Sequence, residues 1–435
     1  MGQDIEGGER YLGLASRARR TACERSTIWS LWRMFARRWL AGDGGAPSPR
    51  DRARLVRAVC AQLGIESPPS GRRQSTGGNR RVARTGFEPV VSALRGQCPR
   101  PLDERAGVVD SSGVTAAEHV APGVRLIALP LPLALKVVNV YLVEGERGWT
   151  LVDTGLHTAE AERALRDGLA AAGIAMADLG RVFVTHLHPD HLGMAGTLRA
   201  AGAELLMHRP ELAMAREVWD TDHHLIDQTY DWFEAHGMPH DVDLGMRAAW
   251  IAMAEGVDEF DPVTAVEDGE TVDLGGRTAT VVWTPGHTDY HAALFEPATA
   301  TLFAGDHVLP RITSNIGLYP YSRDDPLGDF LGALAKMKTL GVRRVLPAHG
   351  DPFDDCGGRV DQILAHHATR LDDTLAAIGP GRDAYTICRT LFPRLRSAHE
   401  ERFALAETLA HLRYLERRGR VTEVAGWPRI WRTAG

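Results

Sequence analysis

The sequence is short of several things, and each shortage excludes something. Five cysteines (Cys23, Cys60, Cys98, Cys356 and Cys388) are scattered over 435 residues with no Cys-x-x-Cys pair. So sparse and odd a set offers neither a disulfide framework nor a zinc ribbon, and it suits a reducing compartment. No apolar run reaches the ~18 residues of a membrane span. The N-terminus lacks the short apolar core of a signal peptide, so the expected location is the cytoplasm. A "GxSxG" nucleophile elbow is missing too, which removes one route to ester hydrolysis. Lysine is nearly absent, with Lys136, Lys336 and Lys338 the only three.

The net charge of -6 conceals an asymmetry. Residues 1–105 carry 20 Arg and 10 acidic residues, leaving 30 basic and 46 acidic residues for the remainder. Segments so unlike are expected to be separate modules. The acidic body argues against a polyanion as its main ligand, and nucleic acid is not the expected partner.

Residues 1–113 read as a basic low-complexity segment. Trp29, Trp32, Phe35 and Trp39 fall near helical spacing, but residues 47–105 are mostly Arg, Gly, Pro and Ser, a composition that cannot bury a core. "RTGFEPVVSALRGQCPRPLDERA" resembles the conceptual translation of a transfer-RNA gene, whose T-loop would encode Phe87-Glu88-Pro89. The segment is therefore expected to be a disordered tail or the product of a start codon set too far upstream.

The texture changes at Val124. Short β-branched runs ("VRLIALPL", "VVNVYLVE", "WTLVDT") precede an Ala/Leu-rich helix over residues 159–172 and the buried strand "RVFVT". Strands return at "TVDL", "RTATVVWT", "AALFE" and "ATLFAG", and a helix over residues 327–340 leads to "RRVLPAHG". Hairpins followed by strand–helix alternation predict an α/β fold with helices covering sheets. Residues 207–262 form a helical insertion rich in Trp and Met, either a satellite core or a pocket lid. Beyond residue 365, Leu405, Leu409, Leu412 and Leu415 mark an amphipathic helix, and "RRGRVTEVAGWPRIWRT" reads as a two-stranded wing. Residues 366–435 are thus expected to form a winged-helix-like module.

The chemistry lies in "VFVTHLHPDHLG". An apolar strand ends at Thr185, and His186, His188, Asp190 and His191 follow within six residues. Alternate residues of an extended chain point the same way, so His186 and His188 can reach one ion; a turn at Pro189 lets Asp190 and His191 face a second. Three more candidates each close an apolar run: His287 in "VVWTPGHT", Asp306 in "ATLFAGDH" and His349 in "RRVLPAHG". Imidazoles with carboxylates suit zinc, and also accept iron or manganese.

This pattern resembles the metallo-β-lactamase-fold hydrolases, in particular the glyoxalase-II-like and lactamase-β-2-like members, over residues 120–365. The resemblance implies an αββα sandwich and two divalent metal ions. His186, His188 and His287 would hold the first, Asp190, His191 and His349 the second, and Asp306 would bridge them. Asp153 in "TLVDTG" matches the aspartate that orients a ligand histidine, and Asp190 acts as a ligand rather than a detached base. Residues 114–365 would be the catalytic domain.

The expected activity is metal-dependent hydrolysis of a thioester, ester or lactone carbonyl in a small-molecule substrate, through a metal-bridging hydroxide. The alternatives are phosphodiester cleavage of RNA or DNA and sulfur dioxygenase chemistry at a single iron. No membrane partner is expected, and a homodimer is compatible with the sequence. Arg311, Asn315, Tyr319 and Tyr321, following Asp306, are candidate substrate contacts or plain loop structure. His208, His291 and His307 are read as groups supporting the ligands, and His223, His224, His236 and His240 as solvated.

Overall fold

The computed structural model describes residues 117–434, except 134, 220–223, 241, 243–245, 248–249, 251–252 and 396. The expectations for residues 1–113 lie outside the described residues.

The first sheet has seven strands in sequence order: β1 (Glu118–Ala121), β2 (Val124–Pro130), β3 (Val137–Gly145), β4 (Gly148–Val152), β5 (Leu179–Val184), β6 (Glu204–His208) and β7 (Thr264–Val266). Pairing is antiparallel from β1 to β4 and parallel from β4 to β7. The parallel half needs crossovers, and helices provide them. They are α1 (Ala159–Ala171), α2 (Pro189–Leu192), α3 (Ala195–Ala200), α4 (Arg209–Val218) and α5 (His224–Ala235). Helix α1 starts where sequence physics places a start: the Thr158 hydroxyl accepts the Ala161 N–H, and Glu160 and Glu162 face the positive end of the helix dipole.

The second sheet runs β12-β11-β10-β9-β8, from β8 (Thr271–Asp273), β9 (Thr278–Trp283), β10 (Ala292–Glu296), β11 (Thr301–Gly305) and β12 (Arg344–Pro347). Helix α6 (Pro326–Thr339) carries the chain from β11 to its parallel neighbour β12. Then come α7 (Cys356–Ile378), α8 (Ala384–Leu391), α9 (Ala398–Arg417) and the hairpin β13 (Val421–Val424)–β14 (Ile430–Thr433).

Period-two alternation sorts the strands into layers. On β3, Tyr141 and Val143 face the second sheet, where they join Val281, Leu294 and Phe303. Val138, Val140 and Leu142 face the opposite way, packing with Leu165 and Leu169 of α1 and Leu198 of α3. The outer face of the second sheet (Val282, Ala293, Leu302, Val345) packs with Leu334, Val360, Leu405, Leu409 and Trp431. The result is a helix–sheet–sheet–helix sandwich, the architecture the motif resemblance implies. Helix α7 is continuous across residues 365 and 366, and α9 shares its core with β12, so the C-terminal helices form the fourth layer of the sandwich. Among the described residues, no helix is long and apolar enough to cross a membrane.

Candidate metal centre

Strand ends supply the site. β5 stops at Val184 and passes straight into Thr185, His186 and His188; Pro189 then opens the four-residue helix α2, which carries Asp190 and His191. The three remote candidates lie just beyond β9 (His287), β11 (Asp306) and β12 (His349), at the same edge of the sandwich. All seven side chains come together there.

His186 Nε2 lies 3.1 Å from His188 Nδ1, which lies 2.9 Å from His287 Nε2. Asp306 faces both halves of the site, with Oδ2 3.2 Å from His287 Nε2 and Oδ1 3.6 Å from His191 Nε2 and 3.4 Å from His349 Nε2. Asp190 Oδ2 is 3.4 Å from His349 Nε2 and 3.7 Å from His191 Nε2. Donor atoms about 2.1 Å from one tetrahedral cation stand about 3.4 Å apart, so these separations suit a shared ion.

Four of the five histidines have their outward-facing nitrogen engaged. The Thr185 hydroxyl donates to Asp153, so its oxygen accepts from His186 Nδ1, 3.0 Å away. His287 Nδ1 donates to the Asn315 carbonyl (3.0 Å), His349 Nδ1 to the Val137 carbonyl (2.9 Å) and His191 Nδ1 to Asp153 (2.8 Å). Each bond turns the other ring nitrogen toward the centre. There His191 Nε2, His349 Nε2 and Asp306 Oδ1 are buried without a hydrogen-bond partner, an arrangement that is costly unless a cation satisfies it. Donor chemistry, spacing and orphaned atoms all fit divalent metal.

Electrostatics agree. Burial lowers the His191 imidazole, but Asp190, Asp153 and Asp306 outweigh it and push the group up to about 10. Burial raises the Asp306 carboxyl, yet His349 and His191 hold it well below the carboxylate range. Cation and proton therefore compete for these nitrogens.

Around this centre, His291 accepts the Asp306 N–H on Nε2 (3.2 Å) and contacts Thr284 Oγ1 through Nδ1 (2.6 Å), while His208 Nδ1 donates to the Tyr290 carbonyl (2.8 Å). The His307 ring is fully buried, and among the described residues neither of its nitrogens has a hydrogen-bond partner. The solvated reading of His236 is overturned: it is 1% exposed, held between the Trp232 carbonyl and Glu423 of β13. His240 is exposed and pairs with Glu234, whereas His223 and the His224 side chain lie outside the described residues.

A cavity of about 240 Å³ opens over these candidate ligands, with walls that are mainly apolar, including Leu133, Leu187, Met214, Trp219 and Trp250. Asn315, Tyr319 and Tyr321 line it. The Asn315 amide itself donates to Glu407 (3.0 Å) and the Phe403 carbonyl (3.3 Å), so it anchors the loop to α9. Arg311 is 60% exposed, 3.5 Å from Asp351 and away from the cavity lining.

Three contributors were not visible in the sequence. Glu211 of α4 is wholly buried and accepts the Leu187 N–H and the Thr288 hydroxyl, both at 2.8 Å. Trp219 Nε1 donates to the Leu187 carbonyl (2.8 Å). Arg402 of α9 lines the cavity although it lies far along the chain from every ligand.

Residues 134–349 match the family described as the metallo-beta-lactamase superfamily, and residues 371–434 match its metallo-beta-lactamase-like C-terminal domain. A metallo-beta-lactamase family protein from Thermus thermophilus, TTHA1429, superposes with a TM-score of 0.67 at 35% identity, over 72% of this chain and all of that one. "Probable metallo-hydrolase YqjP" of Bacillus subtilis is 28% identical over 305 residues, which is 68% of this chain and 93% of that protein. The human protein named acyl-coenzyme A thioesterase MBLAC2 is 28% identical over 228 residues, 49% of this chain and 74% of that one.

Proposed function

Since the chain belongs to the metallo-β-lactamase superfamily, we propose that it is a dinuclear metal-dependent hydrolase acting on a thioester, ester or lactone carbonyl of a small molecule. The observation that carries this reading is the convergence of seven His and Asp side chains beneath one apolar cavity. His186, His188 and His287 would hold one cation, Asp190, His191 and His349 the other, with Asp306 between them. Divalent metal so held, zinc by the nitrogen and oxygen donor set, would supply Lewis acidity and a water-derived nucleophile near neutral pH.

The protein's own groups do the rest. Asp153 and Thr185 fix the orientation of His191 and His186. Leu187, Met214, Trp219 and Trp250 exclude water and offer apolar surface to an acyl group. Among the described residues, the cysteines and Ser314 are poorly placed as nucleophiles. Burial pushes Cys356 and Cys388 up to about 11 and 12, and neither lines the cavity. The Ser314 hydroxyl donates to the Asp306 and His307 carbonyls. The thioesterase activity named for the human relative lends the thioester reading further support. Catalysis is assigned to residues 114–365, and residues 366–435 to a winged-helix-like module packed behind the second sheet.

The test is one assay set on the purified full-length chain, with bound metal quantified alongside: a thioester, a lactone, a phosphodiester and a persulfide. Thioester or lactone hydrolysis should vanish on chelation and return with zinc. Turnover of the phosphodiester alone would overturn the proposal.

A further inference from the structure

Among the described residues, the cavity walls hold one permanently cationic side chain. Arg402 lines the cavity from the N-terminal part of α9, with its guanidinium carbon over the Trp250 ring (5.1 Å to the centroid), the Tyr319 ring (5.9 Å) and the Phe403 ring (4.3 Å). Cation–π contacts of this kind give none of the five N–H donors an oxygen acceptor. Among the described residues none of those donors reaches a carboxylate, hydroxyl or carbonyl, whereas neighbouring acids are engaged elsewhere. Glu401 takes Tyr385 (2.6 Å) and Arg389 (3.3 Å), Glu407 takes Asn315, and Asp289 accepts the Arg323 N–H (2.8 Å).

The wall that carries Arg402 is continuous with the ligand loop. Trp250 stacks on Trp219 (5.2 Å between centroids, 16° between planes), and the Trp219 indole N–H holds the Leu187 carbonyl, between His186 and His188. A molecule lying along this wall with its reacting carbonyl over the metal ligands therefore passes apolar surface first and then meets one fixed cation.

We propose that Arg402 is an anion-recognition site and that the substrate is an acyl compound carrying one compact negative group, a carboxylate in the first instance, separated by an apolar spacer from the scissile carbonyl. This rests on the hydrolase reading above. A planar fork matches a carboxylate bidentately, whereas among the described residues no second Arg or Lys lines the cavity to meet a polyanion.

The test uses a matched pair of thioesters of N-acetylcysteamine, octanoyl (neutral) and 7-carboxyheptanoyl (anionic), with the metal-loaded full chain. The quantity read is the ratio of kcat/KM for the anionic over the neutral thioester, which is insensitive to the fraction of protein folded. In Arg402→Gln this ratio should fall about 10- to 100-fold, the scale of one hydrogen-bonded charge contact. Arg402→Lys should recover only part of it, because an ammonium lacks the fork. An unchanged ratio in Arg402→Gln overturns the proposal. Should wild type cleave neither thioester, the hydrolase reading is what fails, and calorimetric titration of octanesulfonate against octan-1-ol then decides on Arg402. Loss of sulfonate binding relative to the alcohol in Arg402→Gln supports the anion site; an equal response of the two probes overturns it.

Discussion

The carboxyl of Glu211 accepts the backbone N–H of Leu187 at 2.8 Å from a wholly buried position. Leu187 sits between His186 and His188, and the same carboxyl oxygen takes the hydroxyl of Thr288, next to His287. One side chain on α4 thus ties together the loop that carries His186 and His188 and the loop that carries His287. Its other oxygen has no partner. Burial drives the group up to about 8, against the hydrogen bonds from Leu187 and Thr288, so at neutral pH it holds a proton.

That state fixes a sign. The folded protein binds this proton more tightly than the unfolded chain, whose glutamate titrates near 4.3. The stabilising contribution is therefore complete below that value and is lost as pH rises through about 8. Glu211→Gln keeps one acceptor and imitates the protonated acid, so its melting temperature should depend less on pH between 5 and 9 than that of wild type. Glu211→Ala leaves the Leu187 and Thr288 donors buried without an acceptor and should cost about 2–4 kcal/mol. Parallel pH profiles of wild type and Glu211→Gln would show that Glu211 is not the titrating group.

Asp153 tests the ring of bonds outside the ligands. It takes the Thr185 N–H and hydroxyl as well as His191 Nδ1, from a backbone with φ of 62° that L-residues other than Asn and Asp seldom adopt. Asp153→Ala should weaken metal affinity by about 10- to 100-fold, measured by competition with a chromogenic chelator. Asp153→Asn tolerates the same φ and keeps one acceptor, so it should fall between Ala and wild type. Affinity equal to wild type in both variants would mean that His191 is held by something else.

What could be read without coordinates follows from where each group sits. His186, His188, Asp190 and His191 were legible because they fall within six residues and follow an apolar strand. His287, Asp306 and His349 were legible because each closes another such strand, and strand ends share an edge of a sheet. Glu211 was not: a glutamate in the first turn of an amphipathic helix looks solvated, and only the turn of α4 onto Leu187 buries it. His236 misled for the same reason, since its partner Glu423 lies 187 residues further on. The Leu405, Leu409, Leu412 and Leu415 stripe announced a helix but not its partner; that is the second sheet, so the C-terminal helices share a core that a local pattern cannot reveal.

A shared core has a measurable consequence. Leu409 is fully buried among residues of both the second sheet and the C-terminal helices. Leu409→Ala should cost about 2–5 kcal/mol, the usual range for a core leucine. The whole described body should then melt in one transition, shifted as a unit. Two transitions, with only the lower one displaced, would mean that residues 366–435 fold and unfold by themselves.

The proposed ligand set makes the sharpest demand on metal content. His188 and His287 belong to one group and His349 to the other, whereas Asp306 faces both. Replacing His188 or His287 by Ala should therefore lower bound metal by about one equivalent and abolish turnover, whereas Asp306→Ala should lower it by more. Because a ligand bound only by the folded state stabilises it by RT ln(1 + [L]/Kd), chelation should also lower the wild-type melting temperature. The downward shift should shrink in His188→Ala and nearly disappear in Asp306→Ala, each compared with the same protein before chelation. Elemental analysis and thermal melting on the same preparations give both numbers. Full metal content in His188→Ala, together with an undiminished response to chelator, would place the cations somewhere other than beneath this cavity.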